Sequence, residues 1–514
     1  MLQIRNLLVT HKKDFRVLLK DMSFSLTDGD KAVIIGEEGN GKSTLIKWIA
    51  DPESISSYAE AEGQCILGNE RIGYLRQEMP PEETELTLYE YFTSDPVFWD
   101  RTPKKLSATA AQIGFTTDIF YGEQKVGTLS GGEKVKVQLL RLMIAEPTVL
   151  LLDEPSNDID LSTLEWMETF LKNWPHIVLF VSHDETLIRD VANVIIHIEQ
   201  VRRKTVFRYT VVHDTYDNYL ARRDMNFAHQ EQLAQKERRE KVIRDEKYRR
   251  IMQKVEHAQN VISRQDAHGG RLLKKKMHAV KSLGHRYKRM DEDMTHFPEQ
   301  EEAIYFRLGE NSAPVPGSKN VLELSLPVLN TPDDSRVLAR NITLKIRGPE
   351  KICIVGNNGA GKTTLLRKIA EQMLPRTDMH CEYMPQNYED LLNIAITPIE
   401  YLDDTEDKET RTRIRTFLGA LKYTTDEMDH PVSELSGGQK AKIFLLKMSM
   451  SGANVLILDE PTRNFSPLSG PVIRRMLREF PGVIISISHD RNYIREVCDT
   501  VYELTPEGLE KIAD

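Results

Sequence analysis

Long hydrophobic runs are what this chain most plainly lacks. Its apolar stretches, such as Ile177–Val181, have the length of a strand, far short of the ~18–20 residues that cross a bilayer. No membrane-spanning helix is therefore expected. Cysteine is scarce: Cys65, Cys353, Cys381 and Cys498 are scattered over 514 residues, without the paired spacing of a zinc site or a disulfide framework. The opening MLQIRNLLVTHKK has neither the charged-then-apolar layout nor the cleavage site of a secretory signal. A reducing cytoplasm is the expected setting.

Charge is abundant but unevenly placed. The chain is 40% apolar and 29% charged, an ordinary globular balance, and its net charge is −9. Between Lys247 and Arg289, however, thirteen Lys/Arg face only two acids, Glu256 and Asp266. A basic segment on an acidic body suggests an anionic partner.

The sequence also repeats itself. LSGGE at Ser130 recurs as LSGGQ at Ser436, and LLLDEP at Asp153–Glu154 recurs as LILDEP at Asp459–Glu460. VSHD at His183 recurs as SISHD at His489, and all of these pairs are 306 residues apart. Two glycine loops, GEEGNGKST (36–44) and GNNGAGKTT (356–364), lie 320 apart. Four motifs duplicated in one order mean an internal repeat. Short buried strands are expected before each loop (KAVII, KICIV), helices after them, and further strands at VLLL, VLIL, IVLFV and VIISI. Strands alternating with helices define an α/β class with a largely parallel sheet.

A strand, then Gly-x-x-x-x-Gly-Lys-Ser/Thr, then a helix has a direct physical reading. The glycines let main-chain N–H groups wrap phosphates, and the helix start adds its positive end. The first cradle is Gly36, Gly39, Asn40, Gly41, Lys42, Ser43 and Thr44. The second is Gly356, Asn358, Gly359, Ala360, Gly361, Lys362, Thr363 and Thr364. Lys42 and Lys362 would reach the β- and γ-phosphates of ATP, and Ser43 and Thr363 would ligate Mg²⁺. Ser130-Gly131-Gly132 and Ser436-Gly437-Gly438 each open an apolar-periodic helix, offering a second anion site.

With these motifs the chain resembles the ATP-binding cassette superfamily. The resemblance implies two cassettes that close head to tail, each ATP lying between one glycine loop and the other cassette's signature. It implies that Asp153 and Asp459 hold Mg²⁺ and that Glu154 and Glu460 activate the attacking water. His183 and His489 match the switch histidines, and Gln77 and Gln386 match the glutamines that sense Mg²⁺ and water. The adenine-stacking aromatic is open, with Phe15 and His11 as candidates in the first copy. SNDID ends on Asp160, whereas the second copy has Ser466 at the matching position, so the two sites are not expected to be equivalent.

Between the repeats, from about residue 216 to 294, strand character gives way to charge. Tyr248, Ile251, Val255, Ala258 and Ile262 recur at helical spacing. After Ala267-His268-Gly269-Gly270, so do Leu273, Met277, Val280, Tyr287, Met290 and Met294. Two antiparallel helices joined at the glycine pair are expected, the second (271–294) about 36 Å long. Two cassettes without a membrane segment, split by such a linker, resemble the ABC-F proteins of the translation machinery. The resemblance implies a ribosome partner, with rRNA and P-site tRNA reached from the exit (E) site. Arg264, His268, Arg271, Lys274, Lys275, Lys276, Lys281, Arg286, Lys288 and Arg289 are the candidates for RNA contact. Only residues 78–129 separate Gln77 from Ser130, which leaves no room for an arm insertion. EPTRNFSPLSGP (460–471) and the 265–271 tip are similar to the antibiotic-resistance branch, Vga- and VmlR-like. That branch displaces lincosamides, pleuromutilins and A-type streptogramins from the peptidyl-transferase centre.

The expected organisation is α/β: two tandem ATP-binding cassette domains (P-loop NTPases) at 1–220 and 321–514. A basic helical hairpin at 221–300 and a connector at 301–320 join them. A cytoplasmic monomeric ATPase with intramolecular cassette pairing is expected. The alternatives are a housekeeping ABC-F translation factor and the ATPase subunit of a membrane exporter.

Overall fold

The computed structural model describes residues 1–512 other than 158, 202–205, 262–266, 293, 296, 298–306, 310, 311, 333, 389, 390, 392–394 and 404–406, and other than the side chains at 259 and 267–270. The chain divides into two compact units, Met1–Tyr216 together with Glu301–Asp514, and Asp217–Gln300.

In the first unit, each glycine loop follows the central strand of a six-stranded sheet. In the first cassette the strand order is Ile72–Leu75, Val149–Asp153, Ile177–Val181, Lys31–Ile35, Val194–Gln200 and Val206–Val212. The second cassette repeats it as Cys381–Met384, Val455–Asp459, Val483–Ile487, Lys351–Val355, Thr500–Thr505 and Gly508–Lys511. Within each sheet the first five strands run parallel and the last is antiparallel. Strands such as VLLLD and VLILD are buried at every residue, as a sheet covered on both faces requires.

Alternate side chains of one strand serve two cores. Val455 and Ile457 pack in a cluster with Leu365, Leu366 and Ile369 of the helix after the glycine loop. Leu456 and Leu458 lie in the other cluster, with Ile443, Leu445 and Leu446 of the signature helix. Phosphate-loop helix and signature helix thus cover opposite faces of one sheet, and each strand end between them delivers its carboxylates to the sheet's edge. Antiparallel strands complete each cassette. Leu2–His11 pairs with both Val17–Leu26 and Ala59–Ile66, and Asn320–Asn330 pairs with Val337–Arg347.

The second unit is helical. Tyr216–Val261 crosses into it, and Ala267–Glu292 returns antiparallel. Thr295 donates its N–H to Glu237 at 2.7 Å, Arg244 pairs with Asp291, and Tyr248 packs edge-on against Tyr287 at 6.0 Å. The returning helix begins earlier than the sequence suggests and runs straight through Gly269-Gly270. Glycine keeps its N–H and costs a helix only conformational entropy, about 1 kcal/mol relative to alanine, so the pair near the helix start does not break it. Residues 262–266, which include Ile262 and the first two positions of the 265–271 tip, and the side chains at 267–270 lie outside the described residues.

Candidate functional site

The glycine loops are shaped by close approach to their own sheets. Gly36, at φ 146°, lies so near the Ile198 carbonyl that no side chain could be accommodated there, and Gly356, at φ 144°, meets the Leu504 carbonyl in the same way. Each lysine is held inside its loop's curl. Lys42 Nζ donates to the Gly36 and Glu37 carbonyls at 2.9 and 3.1 Å, and Lys362 Nζ to Gly356 and Asn357 at 2.7 and 3.0 Å. Asn40 Nδ2 ties the first loop to the Ile198 carbonyl at 3.2 Å. Ammonium, loop N–H groups and helix start converge on one point, an arrangement suited to a polyphosphate.

Beside each loop stands a buried carboxylate with a free oxygen. Ser43 Oγ donates to Asp153 Oδ1 at 2.8 Å, and Thr363 hydrogen-bonds Asp459. Burial pushes both aspartates up to about 6 against those bonds, and Oδ2 of each is buried without a hydrogen-bond partner. A hydroxyl and an unsatisfied carboxylate oxygen side by side are hard oxygen donors of the kind Mg²⁺ takes, the remaining ligands coming from water and phosphate. Among the described residues no group of three or more His, Cys, Asp or Glu could hold a metal ion.

The residue just after each strand is the expected base. Both Glu154 and Glu460 adopt positive φ, 53° and 51°; Glu154 is buried and Glu460 partly buried. Their surroundings differ. Glu154 Oε1 lies 2.9 Å from His183 Nε2, and His183 Nδ1 lies 2.8 Å from the Phe465 carbonyl of the other cassette. Burial pushes Glu154 up, but the His183 charge and hydrogen bond outweigh it and hold the carboxyl below its ordinary value. Glu460 lies 3.8 Å from His489 Nε2, and His489 Nδ1 is buried without a partner. Burial, reinforced by the Asp459 charge, pushes Glu460 up to about 8. Burial and the Lys362 charge push His489 down to about 4.

The two cassettes meet head to tail. A cavity of about 1180 Å³ has Asn358, Gly359, Gly361, Lys362, Thr363, Thr364, Gln386, Asp459, Glu460 and His489 on one side. Across it stand Ser130 and Gly131 of the first signature, with Gln77 and His183 also on its wall. At the other junction, Gly438 donates its N–H to Glu38 in the first glycine loop, and Lys442 pairs with Glu37 at 3.3 Å. Asp160 accepts a main-chain N–H from Asn358 of the second loop, whereas its counterpart Ser466 bonds Ser469 at 2.9 Å. Ser130 and Ser436 cap their own helices, each in a capping box with Glu133 or Gln439.

Some of these contacts escape a motif search. Glu37 and Glu38 occupy variable positions within the loop, and Phe465 acts through its carbonyl, which leaves no mark on side-chain chemistry. Phe15 is 80% exposed, as a base-stacking ring would need, while His11 is tied to Asp14 at 2.8 Å. On the second unit Arg271, Lys274, Lys275, Lys276, Lys281, Arg286, Lys288 and Arg289 are all exposed, and Val280 is buried. Arg264 and the His268 side chain lie outside the described residues.

Two phosphate cradles, each completed by a signature helix from the opposite half, define a two-cassette ATPase. The chain belongs to the ABC transporter family, whose profile matches residues 19–157 and 339–463, more than half of its length. Relatives that match almost the whole of this chain include proteins named as F-family members. The chain is 27% identical to the ABC transporter F family member 4 of Arabidopsis thaliana, over 94% of this chain and 70% of that one. It is 26% identical to the ATP-binding cassette sub-family F member 3 of Homo sapiens, over 97% and 70%. Against the probable ATP-binding protein YheS of Escherichia coli K12 the identity is 25%, over 96% and 77%. Among solved structures, the archaeal ribosome recycling factor aABCE1, in complex with the ribosomal stalk protein aP1, shares the fold. The TM-score is 0.59 at 16% identity, covering 99% of this chain and 90% of that one. No helix among the described residues is long and apolar enough to cross a membrane.

Proposed function

We propose that this ATPase binds the ribosome in its ATP-closed state, enters the exit site, and uses its basic helical unit to rearrange the peptidyl-tRNA end and the drug pocket of the peptidyl-transferase centre. The observation that carries this reading is the antiparallel helical unit itself. It sits between the cassettes in sequence and displays eight exposed Lys and Arg along one helix. Such an edge suits neutralising the phosphates of folded RNA.

In this reading Lys42 and Lys362, with the loop glycines, hold the phosphates. Ser43, Thr363, Asp153, Asp459, Gln77 and Gln386 would hold Mg²⁺, which neutralises charge developing on the phosphates. Glu154 and Glu460 orient and deprotonate the attacking water, and His183 and His489 face the γ-phosphate. Closure performs the useful work and hydrolysis times the release. The fold is shared with an archaeal ribosome recycling factor, which is compatible with a ribosomal partner.

The drug role is tested by replacing residues 265–271 with a short glycine linker. ATPase activity should persist while tolerance to lincosamides, pleuromutilins or A-type streptogramins is lost. Unchanged tolerance contradicts the tip assignment. A second reading, a translation factor that acts without any drug, is favoured by relatives of F type in a plant and in humans. Under it, deleting the gene leaves drug tolerance unchanged and slows translation.

A further inference from the structure

Two buried ion pairs join the cassettes, and their charges are sorted by cassette. Arg474 grips Glu185 with both terminal nitrogens, at 2.7 and 3.1 Å. Arg491 pairs with Glu168, the second contact of that fork being 3.4 Å. Glu168, Glu185 and Arg474 are buried, and Arg491 is half-buried.

The 306-residue register relates these four residues to one another. Glu168 and Arg474 occupy the same position in the helix after the catalytic strand. Glu185 and Arg491 both stand two residues beyond the switch histidine. The two bridges are therefore one contact made twice, related by the pseudo-symmetry of the repeat. In both, the first cassette supplies the acid and the second supplies the arginine.

We propose that this sorting is a pairing code, by which each cassette accepts the unlike cassette and rejects its own kind in a second copy of the chain. Two first cassettes placed head to tail would set Glu168 against Glu185 twice, with both carboxylates buried. Two second cassettes would set Arg474 against Arg491 twice. Like charges at desolvated positions are a strong repulsive element, and specificity between similar surfaces commonly rests on such an element.

A further contact on the page agrees. Asp184 and Asp490, symmetry mates of each other, cap the two helices that meet at this interface. Burial and the Asp490 charge push Asp184 up to about 6. Two acids already crowd the junction, so two more carboxylates in place of the arginines would compound the repulsion. The code serves a chain whose glycine loops each need the other cassette's signature. It directs closure within one chain and disfavours swapped pairs at the high concentrations reached on a shared partner.

The Glu168–Arg491 bridge is the better one to invert, because Arg474 also bonds Glu496 of its own cassette at 2.9 Å. Each single reversal, Glu168→Arg or Arg491→Glu, reproduces one homotypic contact, and none of these residues belongs to the phosphate or catalytic machinery. Steady-state ATP hydrolysis by the full chain should fall about tenfold in each single variant and return to within roughly threefold of the parent in Glu168→Arg/Arg491→Glu. If the losses simply multiply in the double variant, the code is wrong. Should the reversed chains fail to fold, the neutral cycle of Glu168→Gln, Arg491→Gln and their combination reads the same coupling. There the double variant should lose less than the product of the singles, and independent effects would overturn the proposal equally.

Discussion

At the scale of single residues, the two proposed catalytic centres share their parts list but not their electrostatics. Glu154 is held by a histidine that the opposite cassette's main chain fixes through Phe465. Glu460 accepts the His489 main-chain N–H at 3.2 Å, but the His489 ring stands off at 3.8 Å, and burial pushes the carboxyl up to about 8. A base must be ionised to accept a proton. A carboxyl held below its ordinary value is ionised throughout the neutral range, whereas one at about 8 is largely protonated below that pH. With Glu460→Gln only the first base remains, and ATPase activity should be flat from about pH 6 to pH 8.5. With Glu154→Gln only the second remains, and activity should climb about tenfold per pH unit up to roughly pH 8 and then level off. Superimposable profiles would refute the asymmetry.

The residues legible in the sequence are those whose chemistry demands a type at a fixed local spacing. Lys42, Ser43, Asp153, Glu154 and His183 stand within short motifs, and the structure brings their side chains to one edge of the sheet. Glu168, Glu185, Arg474 and Arg491 were not legible, because their partners lie 289 and 323 positions away. Taken singly, each reads as an ordinary charge on a helix. Superposing the repeats at the 306 offset and looking for opposed charges is the signal that finds them.

At the scale of elements, the strand and helix expectations around the motifs match the structure because one-sided and two-sided burial leave different periodicities. VLLLD and VLILD are short unbroken apolar runs, as strands covered on both faces are, and the signature helices begin at capping boxes visible as Ser-x-x-Glu and Ser-x-x-Gln. The glycine pair in the linker misled for the opposite reason. Glycine marks a break only where the main chain needs one, and within a helix it costs only about 1 kcal/mol relative to alanine.

A different glycine in that helix is constrained. A methyl group at Gly284 would lie 2.5 Å from the Tyr248 hydroxyl on the facing helix, where Tyr248 also packs on Tyr287. Alanine normally stabilises a helix interior by about 1 kcal/mol over glycine. Here Gly284→Ala should instead destabilise the hairpin by about 1 kcal/mol, as overpacking does. Adding Tyr248→Leu should recover most of that loss. Thermal unfolding followed by helical circular dichroism reads both. A stabilised Gly284→Ala variant would show that the helices part freely at this level.

At the scale of the whole molecule, a chain with net charge −9 carries thirteen Lys/Arg between Lys247 and Arg289, and its catalytic halves cannot complete either phosphate site alone. Under the proposed function ATP binds where the cassettes touch, which makes nucleotide state and cassette closure one equilibrium. Any partner that reads closure is thereby read out by ATP. The direct test uses Glu154→Gln/Glu460→Gln, which under the proposed roles should retain closure and block hydrolysis, spun with ribosomes through a sucrose cushion with ATP, with ADP, or with neither. The account predicts that the protein pellets with ribosomes only when ATP is present, and that raising the salt weakens this, as phosphate contacts require. Protein left in the supernatant under all three conditions would contradict the ribosomal role and leave a two-site ATPase whose basic unit serves another partner.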